Sequence, residues 1–457
     1  MPETQKPMQE PRPRRFRRYP EYKDSGVEWL GEIPAHWDVT RTKFAARLRS
    51  GHTPSRHEPE YWQDCTIPWF GLADVWQIRD GHAEYVTETS EKISELGLAN
   101  SAARLLPKGT VMLSRTASVG FSAIMGVEMA TTQDFVNWVC GPTLLPEYLL
   151  YVFRSMQHEF RRLTMGSTHQ TIYMPDVGRF CTPLPPIPEQ EEVVAFVRRH
   201  VGKIDALVAK KERLVELLQE KRTALITRAV TKGLDPSVPM KDSGIEWLGE
   251  IPAHWEVKRL RHISPSLGVG VVVNPSNYVA DEGLPFLYGS DISEGQIHAT
   301  GARRISRQDS RRLPKSELRP GDLVMVRVGA PGVTAVVPPD LDGANCASLL
   351  VIRRSHGLAS SWLCYALNSR YVRLQIEAVQ YGAAQEQFNV SHAVNFVIAL
   401  PPQREQDSIA DYLDRETAKI DTLVAKVREA IDRLRELRTA IISAAVTGKI
   451  DVRGAVG

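Results

Sequence analysis

The sequence predicts an α+β protein, mixed α/β in each of two domains, with the domains separated by an antiparallel coiled coil of two long helices and the whole related by an internal pseudo-twofold repeat. Two observations carry this. The segment KDSGVEWLGEIPAHWDV (Lys23 to Val39) returns as KDSGIEWLGEIPAHWEV (Lys241 to Val257), changed only at Val27/Ile245 and Asp38/Glu256. A longer segment, Leu184 to Asp235, aligns without a gap to Leu400 to Asp451, at an offset of 216 residues. Self-similarity at such distances marks a duplicated structural unit.

Residues 1–20 read as a disordered basic tail: Lys6, Arg12, Arg14, Arg15, Arg17 and Arg18 outweigh Glu3 and Glu10 among five prolines, with almost nothing apolar to bury. The tail has no apolar core of a secretory signal; an arm on phosphates and a plain solvated tail both fit it. Residues 21–39 form the first copy of a clip. Ser25 with Glu28 matches a capping box at a short helix start, and Gly31 suits its left-handed end. Ile33-Pro34 then forces extended chain and leaves Trp29, Leu30 and Trp37 to be buried. Ser243, Glu246, Gly249 and Ile251-Pro252 repeat the pattern. Such a clip holds its own domain or docks a partner. His36 and His254, beside Trp37 and Trp255, read as hydrogen-bonded structural histidines.

The first mixed domain spans 40–183 and the second 258–399, the latter preceded by a linker and the second clip at 236–257. Each carries a turn, an apolar strand and a glycine-flanked loop: PKGTVMLSRTASVGFSAIM in the first and RPGDLVMVRVGAPGVTAVV in the second. Each continues with a helical stretch and then a polar run, GSTHQTIYM and GAAQEQFNV.

The segments 184–235 and 400–451 both open with Leu-Pro-Pro and then continue for about forty residues that read as one helix, about 60 Å at the rise of an α-helix. In the distal copy Ile420, Leu423, Val427, Ala430, Leu434, Leu437 and Ile441 recur with period 3.5, as a coiled-coil seam requires. The central copy keeps Ile204, Leu207, Leu214, Leu218 and Leu225, with Lys211, Lys221 and Arg228 interrupting. Pairing the two helices antiparallel brings the chain ends together, because the first clip then occupies the place that follows the last helix. A short tail, 452–457, remains.

Composition bounds function. With 457 residues, 42% of them hydrophobic and 24% charged, the chain reads as a soluble globular protein of two to four domains. No apolar run suffices for a membrane helix. Five scattered cysteines lack the spacing of a zinc site or a disulfide framework and fit reduced thiols in the cytoplasm. There is no G-x-x-x-x-G-K-[ST] loop, no H-E-x-x-H helix and no G-x-G-x-x-G turn. Asn274-Pro275 is followed by Ser276, outside the Asn-Pro-Pro-aromatic pattern of amino-methylating enzymes.

The repeated clip, the two helices ending AVTKGLD and AVTGKID, and GHTPSRHEPEYWQDCTIPWFGLADV (Gly51 to Val75) together resemble the DNA specificity subunit of type I restriction-modification enzymes, over nearly everything from Lys23 to Asp451. The resemblance implies that the two domains are target-recognition domains, each reading one half of a split sequence in double-stranded DNA. It implies that the coiled coil docks two methyltransferase subunits, and that restriction-translocase subunits join for cleavage. Catalysis and its cofactors, S-adenosylmethionine, ATP and magnesium, then belong to those partners, with no cofactor in this chain. A coiled-coil scaffold whose domains bind proteins is the alternative; a self-sufficient methyltransferase is a second, disfavoured by the missing motifs. The family's G-x-T-P-S stretch is kept at Gly51, Thr53, Pro54 and Ser55, whereas the second domain has GVGVVVNPSNY, which leaves the register of its first strand open.

Loops supply the candidate DNA contacts. Ser114, Arg115 and Thr116 lie before Gly120, with Arg327 and Gly329 in the matching place; an arginine there suits guanine, or a structural ion pair. The polar runs His169, Gln170, Thr171 and Gln385, Glu386, Gln387 suit base edges, since glutamine pairs with adenine and glutamate accepts from cytosine. A basic cluster around Arg303 and Arg304, continuing through Arg307, Arg311, Arg312 and Lys315, suits phosphates or a solvated face.

Overall fold

The computed structural model describes residues 16–164, 170–264, 266–380 and 389–454. The chain forms two compact units, Met1–Lys211 with Glu429–Gly457, and Glu212–Arg428. Each contains a clip, a mixed domain and a stretch of both long helices.

The clip is a hairpin, Tyr22–Asp24 antiparallel to Glu32–Pro34, and Met240–Asp242 against Glu250–Pro252 in the second copy. The predicted capping box and helix are not formed. Ser25 Oγ accepts from Val27 N–H at 3.1 Å, only two residues on, and Gly31, at φ +63°, donates to Val27 O at 3.0 Å. Ser243, Ile245 and Gly249 repeat this. The hairpin strands leave room for one turn, so the serine closes a turn rather than starting a helix. Leu30 and Trp37 are buried in the first clip and Leu248 and Trp255 in the second, while Trp29 is half-buried and Trp247 stays 40% exposed, stacked on Tyr371.

In the first domain a five-stranded sheet runs, side by side, Ala46–Ser50, Phe135–Cys140, Val111–Ser114, Ser122–Met125 and Tyr85–Val86. Four consecutive residues of its second strand, Phe135 to Trp138, are fully buried because both faces are covered. Trp138 packs 4.7 Å from Phe153 of the helix Pro146–Ser155, and Phe135 packs 5.1 Å from Phe70 of a three-stranded sheet. The second domain has the same plan in two four-stranded sheets. One of them orders Leu267–Val269, Leu349–Ile352, Leu323–Val326 and Thr334–Val336.

The open register of the second domain is resolved by close packing. A Cβ on Gly51 would stand 2.0 Å from Thr132 O, and one on Gly270 would stand 2.3 Å from Cys346 O. Gly270 is therefore the counterpart of Gly51, and Val272 and Val273 stand where the first domain has Thr53 and Pro54.

A short antiparallel pair closes each domain, Asp38–Arg41 on Cys181–Leu184 and Glu256–Arg259 on Val397–Leu400. A buried glutamine then fixes each long helix to its domain. Gln190 Oε1 accepts from Leu145 N–H at 2.9 Å, just ahead of the domain's helix, and Gln406 Oε1 does the same for Ala359 N–H at 2.9 Å. These satisfy backbone donors that a helix start leaves orphaned.

The long helices are Ile187–Lys232 and Gln403–Val446. In the first unit the clip joins the start of one to the end of the other: His36 Nε2 lies 2.9 Å from Glu189 Oε2, and Tyr22 OH donates to Gly448 O at 2.9 Å. In the second unit His254 Nε2 lies 2.6 Å from Glu405 Oε1, and Lys232 Nζ donates to Glu250 O at 2.6 Å. Both units thus pair the helices antiparallel. The chain ends meet as expected, with Lys449 Nζ donating to Glu32 O at 2.5 Å and Asp451 N–H to Arg17 O at 2.8 Å.

The seam needs a correction. Ile204, Leu218, Leu225, Ile420, Val427, Leu434 and Ile441 face inward as predicted, but Leu207, Leu214, Leu423 and Leu437 are 41–46% exposed. Their places are taken by the next residue along, Val208 and Val215 in the central helix and Val424 and Arg438 in the distal one, and Arg222 and Ile431 show the same shift from Lys221 and Ala430. A stripe spaced three then four and a stripe spaced four then three fit the same period, and here both are mostly apolar. Periodicity alone does not say which one meets the partner helix.

Candidate nucleic-acid interface

The glycine-flanked loops of the two domains have one backbone path. In the first, Ala117 takes φ +59° and Gly120 φ +92°, with Gly120 N–H donating to Ser114 O at 2.9 Å. In the second, Gly329 takes φ +84° and Gly332 φ +90°, with Gly332 N–H donating to Val326 O at 2.9 Å. The loop therefore leaves and re-enters the sheet identically while its side chains differ. Ala117 holds the left-handed conformation because its N–H is bound to Gln170 O at 2.8 Å, and Thr116 bridges Thr171.

Placement of the predicted contacts is uneven. Ser114 is fully buried at the strand end, its hydroxyl turned toward Thr116 O, and so is not presented at the surface. Arg115 is half-buried and held by backbone carbonyls: Nε donates to Gln133 O at 3.1 Å and Nη1 to Ile172 O at 3.4 Å. Arg327 is 9% exposed and donates through Nη2 to Asn389 Oδ1 at 2.8 Å. Both arginines brace the loop. Gln170 and Gly329 are exposed, and Thr116 and Thr171 are half-buried. His169, Gln385, Glu386 and Gln387 lie outside the described residues. Arg303 is exposed over the Tyr288 ring at 4.4 Å, and the exposed Arg304 donates to Gly283 O at 3.2 Å; as consecutive residues of the strand paired with Leu284–Leu287 they point to opposite faces.

Sequence reasoning missed a groove of about 400 Å³ beside the first loop. Arg79, Arg161, Gln157 and Gln170 line it together with Ala117, Ser118 and Phe160, and among the described residues no carboxylate does. Arg79 and Arg161 are exposed. An anionic backbone with flat bases matches such a lining: guanidinium groups for phosphate, amides for base edges. Arg79 sits outside every motif; the one signal was Trp76, a tryptophan among polar residues that proves 71% exposed. In the second domain Val272, Val273 and Val328 are exposed, the last of them in the matching loop.

The five cysteines are unpaired, and burial pushes the thiols of Cys140, Cys346 and Cys364 up to about 12, which keeps them protonated near neutrality. Among the described residues no group of three or more His, Cys, Asp or Glu side chains is placed to hold a metal ion, and no helix is long and apolar enough to cross a membrane.

The two domains carry one loop scaffold with different side chains, and each is tied to the stretches of the long helices within its own unit. Residues 34–217 match the family described as the type I restriction modification DNA specificity domain. The chain is 29% identical to the type I restriction enzyme MjaIX specificity subunit of Methanocaldococcus jannaschii over 54% of its own length and 56% of that protein, so this alignment spans little more than half of either. Against the MjaVIII specificity subunit of the same organism it is 23% identical over 92% of this chain and 94% of the other. A solved chain from work on complex assembly and conformational transition of the type I R-M system superposes with a TM-score of 0.63 at 20% identity, covering 91% and 98% of the two chains. Residues 34–217 thus match the DNA specificity domain, and the chain is similar to type I restriction enzyme specificity subunits along most of its length.

Proposed function

We propose that this chain is the non-catalytic reader of a type I restriction-modification complex, with each mixed domain recognising one block of a two-part DNA sequence. The observation that carries this reading is the conserved loop path at Ser114–Gly120 and Val326–Gly332 with divergent side chains, since one docking geometry with different chemistry suits two different half-sites. Arg79, Arg161, Gln170 and Thr171 are the contacts we favour in the first domain, and Arg303, Arg304 and the loop around Gly329 in the second. The long helices would keep the two readers a constant span apart, so that an unread spacer of set length separates the blocks.

Two methyltransferase subunits would dock on the outer faces of the helices. The exposed Leu207, Leu214, Leu423 and Leu437 support this, because a second apolar stripe has no work to do inside the pair. Methyl transfer, with S-adenosylmethionine, and ATP-driven translocation and cleavage, with ATP and magnesium, would reside in the partners, as would extrusion of the target base from the stack. The setting would be the cytoplasm. Methylome mapping with and without this chain tests the reading: a split motif modified only in its presence is expected, and an unchanged methylome would overturn it. A protein-binding scaffold would instead lack the steep loss of DNA affinity with rising salt that a reader shows.

A further inference from the structure

We infer that Arg222 and Arg438 are positioning residues that orient each recognition domain on the helix pair, and thereby set how strictly the spacer length is enforced; the spacer part rests on the function proposed above. The two arginines are equivalent under the 216-residue repeat, as are Asp205 and Asp421. Both arginines occupy inward seam positions, where a coiled coil otherwise takes aliphatic side chains, and their side chains are only 15–21% exposed.

Each arginine joins three bodies. In the first unit Arg438 Nε pairs with Asp205 Oδ1 of the opposite helix at 3.0 Å, while its Nη2 donates to Gly81 O of the domain at 2.6 Å. His82, the next residue in that turn, lies 3.0 Å from the other oxygen of Asp205. In the second unit Arg222 Nε lies 3.1 Å from Asp421 Oδ1 as an ion pair without the alignment of a hydrogen bond, and its Nη1 donates to Glu294 Oε2 of the domain at 3.1 Å. Glu294 is held from within the domain by Arg373 Nη2 at 2.9 Å.

The gripped turns correspond, Asp80-Gly81-His82 in one domain and Glu294-Gly295-Gln296 in the other. A carbonyl and a histidine do on one side what a carboxylate does on the other. Equivalent arginines reaching the opposite helix and the domain through different chemistry imply that the junction itself is what the two halves share. A planar guanidinium with donors on several edges can bridge two acceptors at fixed angles, which a lysine ammonium does not. A buried charge at a seam position also specifies register at some cost in stability, so its retention in both copies points to orientation rather than to strength.

The test uses the full chain assembled with its methyltransferase subunits. Arg438→Met and Arg222→Met retain the helix pair; Arg438→Lys retains the charge opposite Asp205 but not the second bond to Gly81; Glu294→Ala removes the domain's grip and leaves the Asp421 pair untouched. Hydrogen exchange should rise in the turns 79–82 or 293–296 of the affected unit and leave the helix amides protected. DNA targets carrying the cognate half-sites, with spacers one base pair longer and shorter, should then be discriminated about tenfold less well than by wild type, an energy change of about 1.4 kcal/mol. The bases read in each half-site should not change. Variants that lose thermal stability yet keep full spacer discrimination, or turns that stay protected, would overturn the inference. A wild-type assembly with quiet turns in exchange but no preference for any split target would overturn the proposed function and the spacer part with it, while a rise in exchange limited to the variants would still uphold the anchoring.

Discussion

Substituting Ile431 and Leu437 one at a time with alanine separates the inner stripe of the distal helix from the outer one. Both residues lie in the same unit and the same helix, but Ile431 is 5% exposed and Leu437 46% exposed. Ile431→Ala deletes buried methyl and methylene groups and leaves a cavity that two rigid helices close poorly, at a cost of about 3 kcal/mol. For a cooperative body of this size that corresponds to a fall of about 6–12 °C in Tm. Leu437→Ala removes a side chain that is half in water, and alanine is the stronger helix former, so a change within about 0.5 kcal/mol is expected. Guanidinium unfolding followed by circular dichroism at 222 nm reads both, with unchanged denaturant slopes confirming that the unfolding reaction is the same. A Leu437 variant as damaged as the Ile431 variant, or an Ile431 variant without effect, would refute the inward register. If the outer stripe docks methyltransferase subunits, Leu437→Ala should weaken assembly while leaving Tm in place.

Other consequences concern the clip, the loop and the domain-to-helix ties. Gly448 has φ +69° and a Cβ there would stand 2.2 Å from Pro34 Cδ, whereas Gly233, at φ +72°, would meet Trp255 Cζ2 at 3.3 Å; Gly448→Ala should therefore destabilise by about 2–4 kcal/mol and Gly233→Ala by about half that, read by calorimetry. Ala117→Gly removes left-handed strain and should raise stability by up to about 1 kcal/mol, whereas Arg115→Met should loosen the loop, visible as faster exchange of the Ala117 amide. Glu84 is lowered from 4.5: burial alone would raise it, but Arg198 and the Tyr151 hydroxyl, both bonded to the carboxylate, outweigh that. A carboxylate depressed in the folded state stabilises fully above its ordinary value and loses that contribution as pH falls through the depressed one. Unfolding of the wild type should thus show an added acid-side decline below about pH 4.5 that Glu84→Gln lacks.

Much of the fold was legible because the duplication is nearly literal. The two helices, the clips with Trp37 and Trp255 buried, the meeting of the ends and the matching loops all follow from aligned letters. The histidines at 36 and 254 also read correctly, since a polar ring beside a buried tryptophan needs a partner, and Glu189 and Glu405 supply it. What stayed hidden depended on which of two acceptable local solutions the tertiary structure selects. Leu207 and Val208 are both apolar, and only the packing of the opposite helix turns the valine inward. Ser25 with Glu28 has the spacing of a capping box, yet the hairpin around it admits one turn. Arg115 and Arg327 fitted either a base contact or a structural bond in sequence; carbonyl and amide oxygens from distant segments supply the structural bonds, which no local pattern shows. Arg79 and Arg161, by contrast, become one groove only when a turn and a helix far apart in sequence meet.

The proposal that each domain reads its own half of the target is tested most directly by replacing residues 40–183 with the corresponding region of a similar type I specificity subunit and mapping the methylated motif of the resulting complex. One half of the motif should change to that of the donor, while the other half and the spacer length persist. A motif unchanged throughout, or changed in both halves, would contradict it.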